Sequence, residues 1–124
     1  MAARILVVED HPHVREILVL YLQRQGYEVI EADNGKAAIQ KAMTEYPDVI
    51  IMDLRLPEID GIEATVRLKK EPKTAHIPVI GCSASQDDYV QRDALEKGMV
   101  ECLMKPIPAH VFKDAIERVL KQNR

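Results

Sequence analysis

Asp48-Val49-Ile50-Ile51-Met52-Asp53 is the stretch on which the fold turns. Its four central residues are all apolar, with no polar position between the flanking aspartates. A strand with one face in water alternates apolar and polar residues. An uninterrupted run of this length suits a strand buried on both faces, as in a parallel sheet covered by helices. Pro47 precedes it, and residues 54–60 contain Pro57 and lead to Gly61, which is loop composition. The strand therefore ends on a carboxylate, Asp53, where the chain leaves the sheet.

Four similar runs flank it. Arg4–Val8 (RILVV) reads as a first strand, stopping at Glu9-Asp10. A helix follows whose residues Val14, Ile17, Leu18, Tyr21 and Leu22 keep the i, i+3, i+4, i+7, i+8 spacing of an inward stripe. Gly26 ends it in the position that favours a left-handed cap. Residues 27–32 read as a second strand, Asp33-Asn34-Gly35 as a turn and cap, and 36–45 as an alanine-rich helix that stops before Pro47. Beyond the Asp53 loop, a helix is expected over 61–70 and a polar connection over 71–76. A fourth strand follows over 77–82, with Pro78 near its start. A thin helix over 85–97 offers Tyr89, Val90, Ala94 and Leu95 as its apolar stripe and closes at Gly98. A fifth strand covers 99–104, and a last helix 108–121 turns Val111, Phe112, Ala115, Ile116, Val119 and Leu120 inward.

Strands alternating with helices from end to end predict an α/β fold with a doubly wound parallel sheet. No linker, repeat or low-complexity stretch interrupts the pattern, so residues 1–124 are expected to form one domain. The net charge of −3 supplies no basic footprint for nucleic acid and no patch for anionic lipid. The first four residues show no secretory leader, and the apolar runs fall far short of the roughly 20 residues that span a bilayer. A cytoplasmic location is the expectation. Cys82 and Cys102 show no CxxC pattern, so two reduced structural thiols are expected rather than a zinc site.

In such a sheet, ligands bind beyond the carboxyl ends of the strands. Those ends carry Glu9 and Asp10, Asp53, Cys82-Ser83-Ala84, and Lys105-Pro106. Three neighbouring carboxylates repel one another and invite a cation, and hard oxygen ligands in small number suit magnesium. A carboxylate can act as nucleophile to form an aspartyl phosphate, with an ammonium and a hydroxyl on the phosphoryl oxygens. Taken singly, each residue has a plainer reading. Glu9, Asp10 and Ser83 can serve as helix caps, Lys105 as a solvated lysine, and Asp53 as an ordinary strand-end aspartate. Their coincidence at four strand ends favours the joint reading.

The ordered set closely resembles the receiver domain of bacterial two-component response regulators over essentially the whole chain. The resemblance rests on Ile5–Asp10, Asp48–Asp53, Leu56-Pro57-Glu58-Ile59-Asp60-Gly61, Val79–Ala84 and Lys105-Pro106. It implies a flavodoxin-like (βα)5 fold with strand order 2-1-3-4-5. It also implies that Asp53 is the phosphoacceptor, taking its phosphoryl group from a sensor histidine kinase or a histidine phosphotransfer protein. Asp10, Asp53 and the backbone carbonyl of Arg55 would ligate Mg2+, with Glu9 reaching it through water. Lys105 would contact the phosphoryl group and precede a cis bond to Pro106. Ser83 would be the switch hydroxyl, and the small Ala84 would leave room for phosphoryl entry. The protein would then be a phosphorylation-activated switch acting on a downstream protein target, not an enzyme with a separate substrate, and would touch neither DNA nor membrane directly.

One position departs from the family pattern: Cys102 stands three residues before the lysine, where receivers commonly carry Tyr or Phe. The segment 98–105 also lacks the paired acidic residues of receivers that dimerise through the fourth and fifth helices. Two alternatives remain. A pseudo-receiver that docks without phosphorylation usually loses an acidic residue or the lysine, and this chain keeps both. An aspartyl-phosphate phosphohydrolase usually needs an acid two residues after its nucleophile, where this chain has Arg55. His11 and His13 near the acidic edge are expected to be exposed residues of the first helix rather than relay groups.

Overall fold

The computed structural model describes residues 2–122; Met1, Asn123 and Arg124, which the expected 1–124 domain includes, lie outside the described residues. Five strands, β1 (Arg4–Val8), β2 (Glu28–Ala32), β3 (Val49–Asp53), β4 (Val79–Ser83) and β5 (Glu101–Met104), alternate with five helices. These are α1 (Pro12–Arg24), α2 (Gly35–Glu45), α3 (Gly61–Lys70), α4 (Asp88–Glu96) and α5 (Ala109–Gln122). The sheet is parallel throughout, in the order β2-β1-β3-β4-β5, as expected.

Strand periodicity sorts the core into two layers. Leu6, Val8, Ile50, Met52 and Val79 pack under Ala38, Ala64, Leu68 and Ala94 of α2, α3 and α4. The alternate positions Ile5, Val7, Val49, Ile51, Ile80 and Cys82 pack under α1 and α5 through Val19, Leu22, Ala115, Ile116 and Val119. β3 lies at the centre, and every one of its residues is buried. That is why its sequence carries no alternation.

Helix ends explain where the expected boundaries shift. At α1 the Gly26 N–H donates to Gln23 O at 3.0 Å and the Tyr27 N–H to Leu22 O at 3.2 Å. This Schellman closure, with Gly26 at φ +93, takes Tyr27 into the cap, so β2 begins at Glu28 rather than 27. The same closure at Gly98 (φ +118) uses Met99 N–H to Ala94 O, and β5 begins at Glu101 rather than 99. Pro78, without an N–H, precedes the fourth strand, which runs Val79–Ser83 instead of 77–82. Helix α4 starts at Asp88, not 85. Ser83 Oγ accepts from Ser85 N–H (3.0 Å), Ser85 Oγ from Asp87 N–H (3.1 Å), and Asp87 Oδ1 from Tyr89 N–H (2.9 Å). These side chains hold the backbone in turns before the helix can begin.

Two apolar stripes also need correction. Leu22 of α1 is buried as expected, with Leu18 and Tyr21 partly buried against the core, but Val14 and Ile17 are 47% and 69% exposed, and Val19, outside the expected stripe, is buried. On α4, Tyr89 (70%) and Leu95 (47%) face outward and only Ala94 is buried. No helix among the described residues is long and apolar enough to cross a membrane.

Candidate functional site

Side-chain alternation delivers the site. Ile5, Val7, Ile51, Ile80 and Leu103 all belong to the α1/α5 side of the sheet. Two residues further along β1, β3 and β5 the same side carries Glu9, Asp53 and Lys105, and on β4 it carries Cys82. These four line the inner end of one groove. The strand order reverses between β1 and β3, so Glu9 and Asp53 flank the crevice where doubly wound sheets bind ligands.

Glu9, Asp10 and Asp53 each offer a carboxylate oxygen, and the three oxygens lie within 4.8 Å of one another. Glu9 and Asp53 are buried, whereas Asp10 is exposed. The Lys105 ammonium stands 3.1 Å from Asp53 Oδ1 and 3.3 Å from Glu9 Oε1. Partial burial works to lower its pKa, but the attraction and hydrogen bonds of Asp53 and Glu9 outweigh it, and Lys105 titrates above the ordinary lysine value. The second Glu9 oxygen accepts the His11 N–H at 3.1 Å. Among the described residues, Asp53 Oδ2 and the Arg55 carbonyl accept no hydrogen bond. One side of the nucleophile candidate is thus pinned and the other is free.

Backbone contacts hold these groups. The Leu54 N–H donates to Cys82 O at 3.0 Å and the Gly61 N–H to Leu54 O at 2.8 Å, closing the loop after Asp53. Asp60 caps α3 by accepting the Glu63 N–H at 2.8 Å. The Lys105 N–H donates to Ser83 O at 2.7 Å, and the Lys105–Pro106 bond is cis, as expected.

Ser83 is 3% exposed at the end of β4, with its hydroxyl engaged by the Ser85 N–H and no bond to Asp53 or Lys105. Ala84 and Arg55 are exposed beside it and on the loop. His11 and His13 are exposed, and the His11 side chain forms no cap bond. Both cysteines are free; burial pushes the Cys82 thiol far up and raises that of Cys102, which keeps both protonated at neutral pH.

The sequence reading missed two features. A groove of about 590 Å³ runs from Asp53 and Lys105 between α1 and α5, walled by Val14, Ile17, Tyr21, Ile107 and Phe112. The signal was present: residues 17–22 are six consecutive apolar residues, more than one helix face can bury. The second is Arg15, which donates from Nη1 to Glu9 O at 2.8 Å and from Nε to Glu31 Oε1 at 3.1 Å. Nothing in a lone arginine marks such a contact.

A chemotaxis protein CheY from Bacillus subtilis is 36% identical over 97% of this chain and 99% of its own length. The alkaline phosphatase synthesis regulator PhoP of the same organism is 32% identical over 99% of this chain. The chain spans only half of that regulator, and 8% of a histidine kinase P4 from Formosa agariphila to which it is 34% identical. A response regulator structure from Chloroflexus aurantiacus superposes with a TM-score of 0.93 at 30% identity, covering 98% of this chain and 99% of the other. The receiver domain of a Pseudomonas aeruginosa sensor histidine kinase, described with a magnesium ion in its active-site cleft, gives 0.88 at 29% identity over 98% and 99%. Residues 5–117 match the response regulator receiver domain, and the chain belongs to that family of two-component signalling modules.

Proposed function

We propose that the chain is one receiver domain over residues 1–124, switched by phosphorylation of Asp53. The carrying observation is the meeting of three carboxylates with Lys105 at one sheet edge, 3.1 Å from Asp53. The free Asp53 oxygen attacks the phosphorus of a phosphohistidine on a sensor histidine kinase or phosphotransfer protein. The P–N bond breaks, imidazole departs, and an acyl phosphate remains. Lys105, already ionised, takes a phosphoryl oxygen.

The donor set fits a small divalent cation: oxygen ligands only, a net negative edge, and one exposed carboxylate open to water. Asp10, Asp53 and the Arg55 carbonyl would hold Mg2+, with Glu9 reaching it through water. When bound, the ion offsets negative charge on the phosphoryl oxygens. Ala84, small and exposed, leaves the approach open, and Ser83 turns its hydroxyl from Ser85 towards the new phosphoryl group.

The groove along α1 is the entry for the donor's docking surface, because its apolar walls lead to Asp53. The switch acts in the cytoplasm on a downstream protein target, without direct contact to nucleic acid. Acetyl phosphate with Mg2+ should add one phosphoryl group to the wild type, read by intact mass, and none to Asp53→Asn. Equal labelling of the two proteins would place the acceptor elsewhere.

A further inference from the structure

The acidic edge depends on a turn that leaves the sheet at Glu9. The Glu9 N–H still joins the ladder, donating to Ala32 O at 3.1 Å. Its carbonyl does not, and it accepts instead from Arg15 Nη1 at 2.8 Å, six residues along the chain. Arg15 is anchored sideways by Glu31 of β2 through Nε at 3.1 Å, and its side chain is only 20% exposed. By contrast, the Asp10 carboxylate is exposed and makes no hydrogen bond among the described residues. The placement of Asp10 therefore follows from the Glu9–Asp10 peptide, and Arg15 holds that peptide.

We propose that Arg15 is a positioning residue for the cation site, fixing the Asp10 carboxylate opposite Asp53 through the Glu9 carbonyl. The inference rests on the proposed role of Asp10 as a metal ligand. The planar guanidinium suits the task because its separate Nη1 and Nε donors point to the carbonyl and to Glu31 in fixed directions, a geometry that the single nitrogen of an ammonium does not span. The sign of its effect separates this role from a purely electrostatic one. A cation near three carboxylates repels Mg2+, so removing its charge alone would tighten binding. Removing its grip on the turn loosens a ligand and weakens binding, by about tenfold where such supporting contacts have this kind of role.

Titration calorimetry with MgCl2 on the full chain tests it, alongside the backbone amide resonances of Asp10 and His11 without metal. Arg15→Met should weaken Mg2+ by about tenfold and broaden or shift both amides. Arg15→Lys should fall between the two, and Glu31→Gln, which keeps the carbonyl contact, should lose less than Arg15→Met. Should Arg15→Met fail to fold, the lysine and Glu31→Gln variants carry the same comparison. Binding as tight as wild type, or tighter, in folded Arg15 variants would overturn the proposal. Asp10→Asn is the control: if it binds Mg2+ like the wild type, the metal-ligand reading fails and this inference with it. If only the Arg15 variants are silent, the inference fails alone.

Discussion

Gly61→Ala sets two physical effects against each other at the phosphoacceptor. Gly61 opens α3, and in an exposed helix alanine is favoured over glycine by about 1 kcal/mol. Here an added Cβ would stand 2.2 Å from Asp53 O, 2.9 Å from Leu54 Cα and 3.0 Å from Asp53 C. All three are backbone atoms of the β3 exit, so no side chain can swing aside. Reaching a normal contact of roughly 3.5 Å means moving that backbone by about 1 Å. Overpacking of this kind costs about 3 kcal/mol, which leaves a net loss of about 2 kcal/mol after the helix preference is subtracted. For a domain of this size that is a fall in Tm of roughly 6–10 °C. Gly26→Ala is the comparison: nothing lies within 4 Å of its Cβ, and only the φ of +93 opposes it, for about 1–2 kcal/mol. Thermal denaturation followed by circular dichroism reads both, and calorimetry with MgCl2 reads the displacement of Asp53. A Gly61→Ala protein as stable as wild type would refute the close approach of α3 to the acceptor strand.

Three further outcomes follow from other contacts. Lys105 titrates above its unfolded value, so its stabilising share is complete below about pH 10.4 and lost as pH rises through the folded value. The stability gap between wild type and Lys105→Met in chemical denaturation should accordingly narrow above that pH, and a constant gap would argue against the ion pairs. Asn34 caps α2 by accepting the Ala37 N–H at 2.8 Å, and Asn34→Ala should lower the unfolding free energy by about 1 kcal/mol. Ile17, 69% exposed on the groove lip, can become Ser with a stability change within about 0.5 kcal/mol; phosphoryl transfer from a histidine donor should slow while labelling by acetyl phosphate stays unchanged.

The strand pattern was legible because burial on both faces writes itself into consecutive apolar residues. Arg4–Val8 and Gly61–Lys70 coincide with their expected bounds for that reason and because Asp60-Gly61 marks a cap. The third strand differs only in that Asp48 stands outside it, where Oδ2 accepts the Arg4 N–H at 2.7 Å. Helix periodicity, by contrast, marks apolar positions without saying which neighbour covers them. In α1, residues 17–22 satisfy two faces at once, and only the placement of α5 decides that Val19 and Leu22 enter the core while Ile17 lines a groove. The acidic edge was visible in its members because each sits at a strand end, where parallel pairing brings distant residues into one row. Arg15 was not, since its partners are a backbone carbonyl and a residue of the next strand.

The route out of the site has a physical outline under the proposed chemistry. Phosphorylation replaces the single carboxylate charge of Asp53 with an acyl phosphate carrying about −1.5 to −2, which draws Lys105 more strongly to that side. The longer of its two bonds, 3.3 Å to Glu9, is the one to yield. The Lys105 backbone N–H is bonded at 2.7 Å to Ser83 O, so any backbone movement at Lys105 is shared by the ends of β4 and β5. Ser83 in turn holds the Ser85 N–H, the first of the turns that lead into α4. That helix buries only Ala94 completely, and the Gln91 Nε2 atom on it is buried without a partner among the described residues. A helix held this lightly needs little force to repack. Cys102, half-buried beneath it, offers no aromatic ring to turn, so under the proposed chemistry the rearrangement would run through the Ser83 backbone and hydroxyl rather than through a rotating ring. Structures of the free and beryllofluoride-bound forms should show α4 displaced with the aromatic rotamers kept, and a ring swinging into the space beside Cys102 would contradict that route.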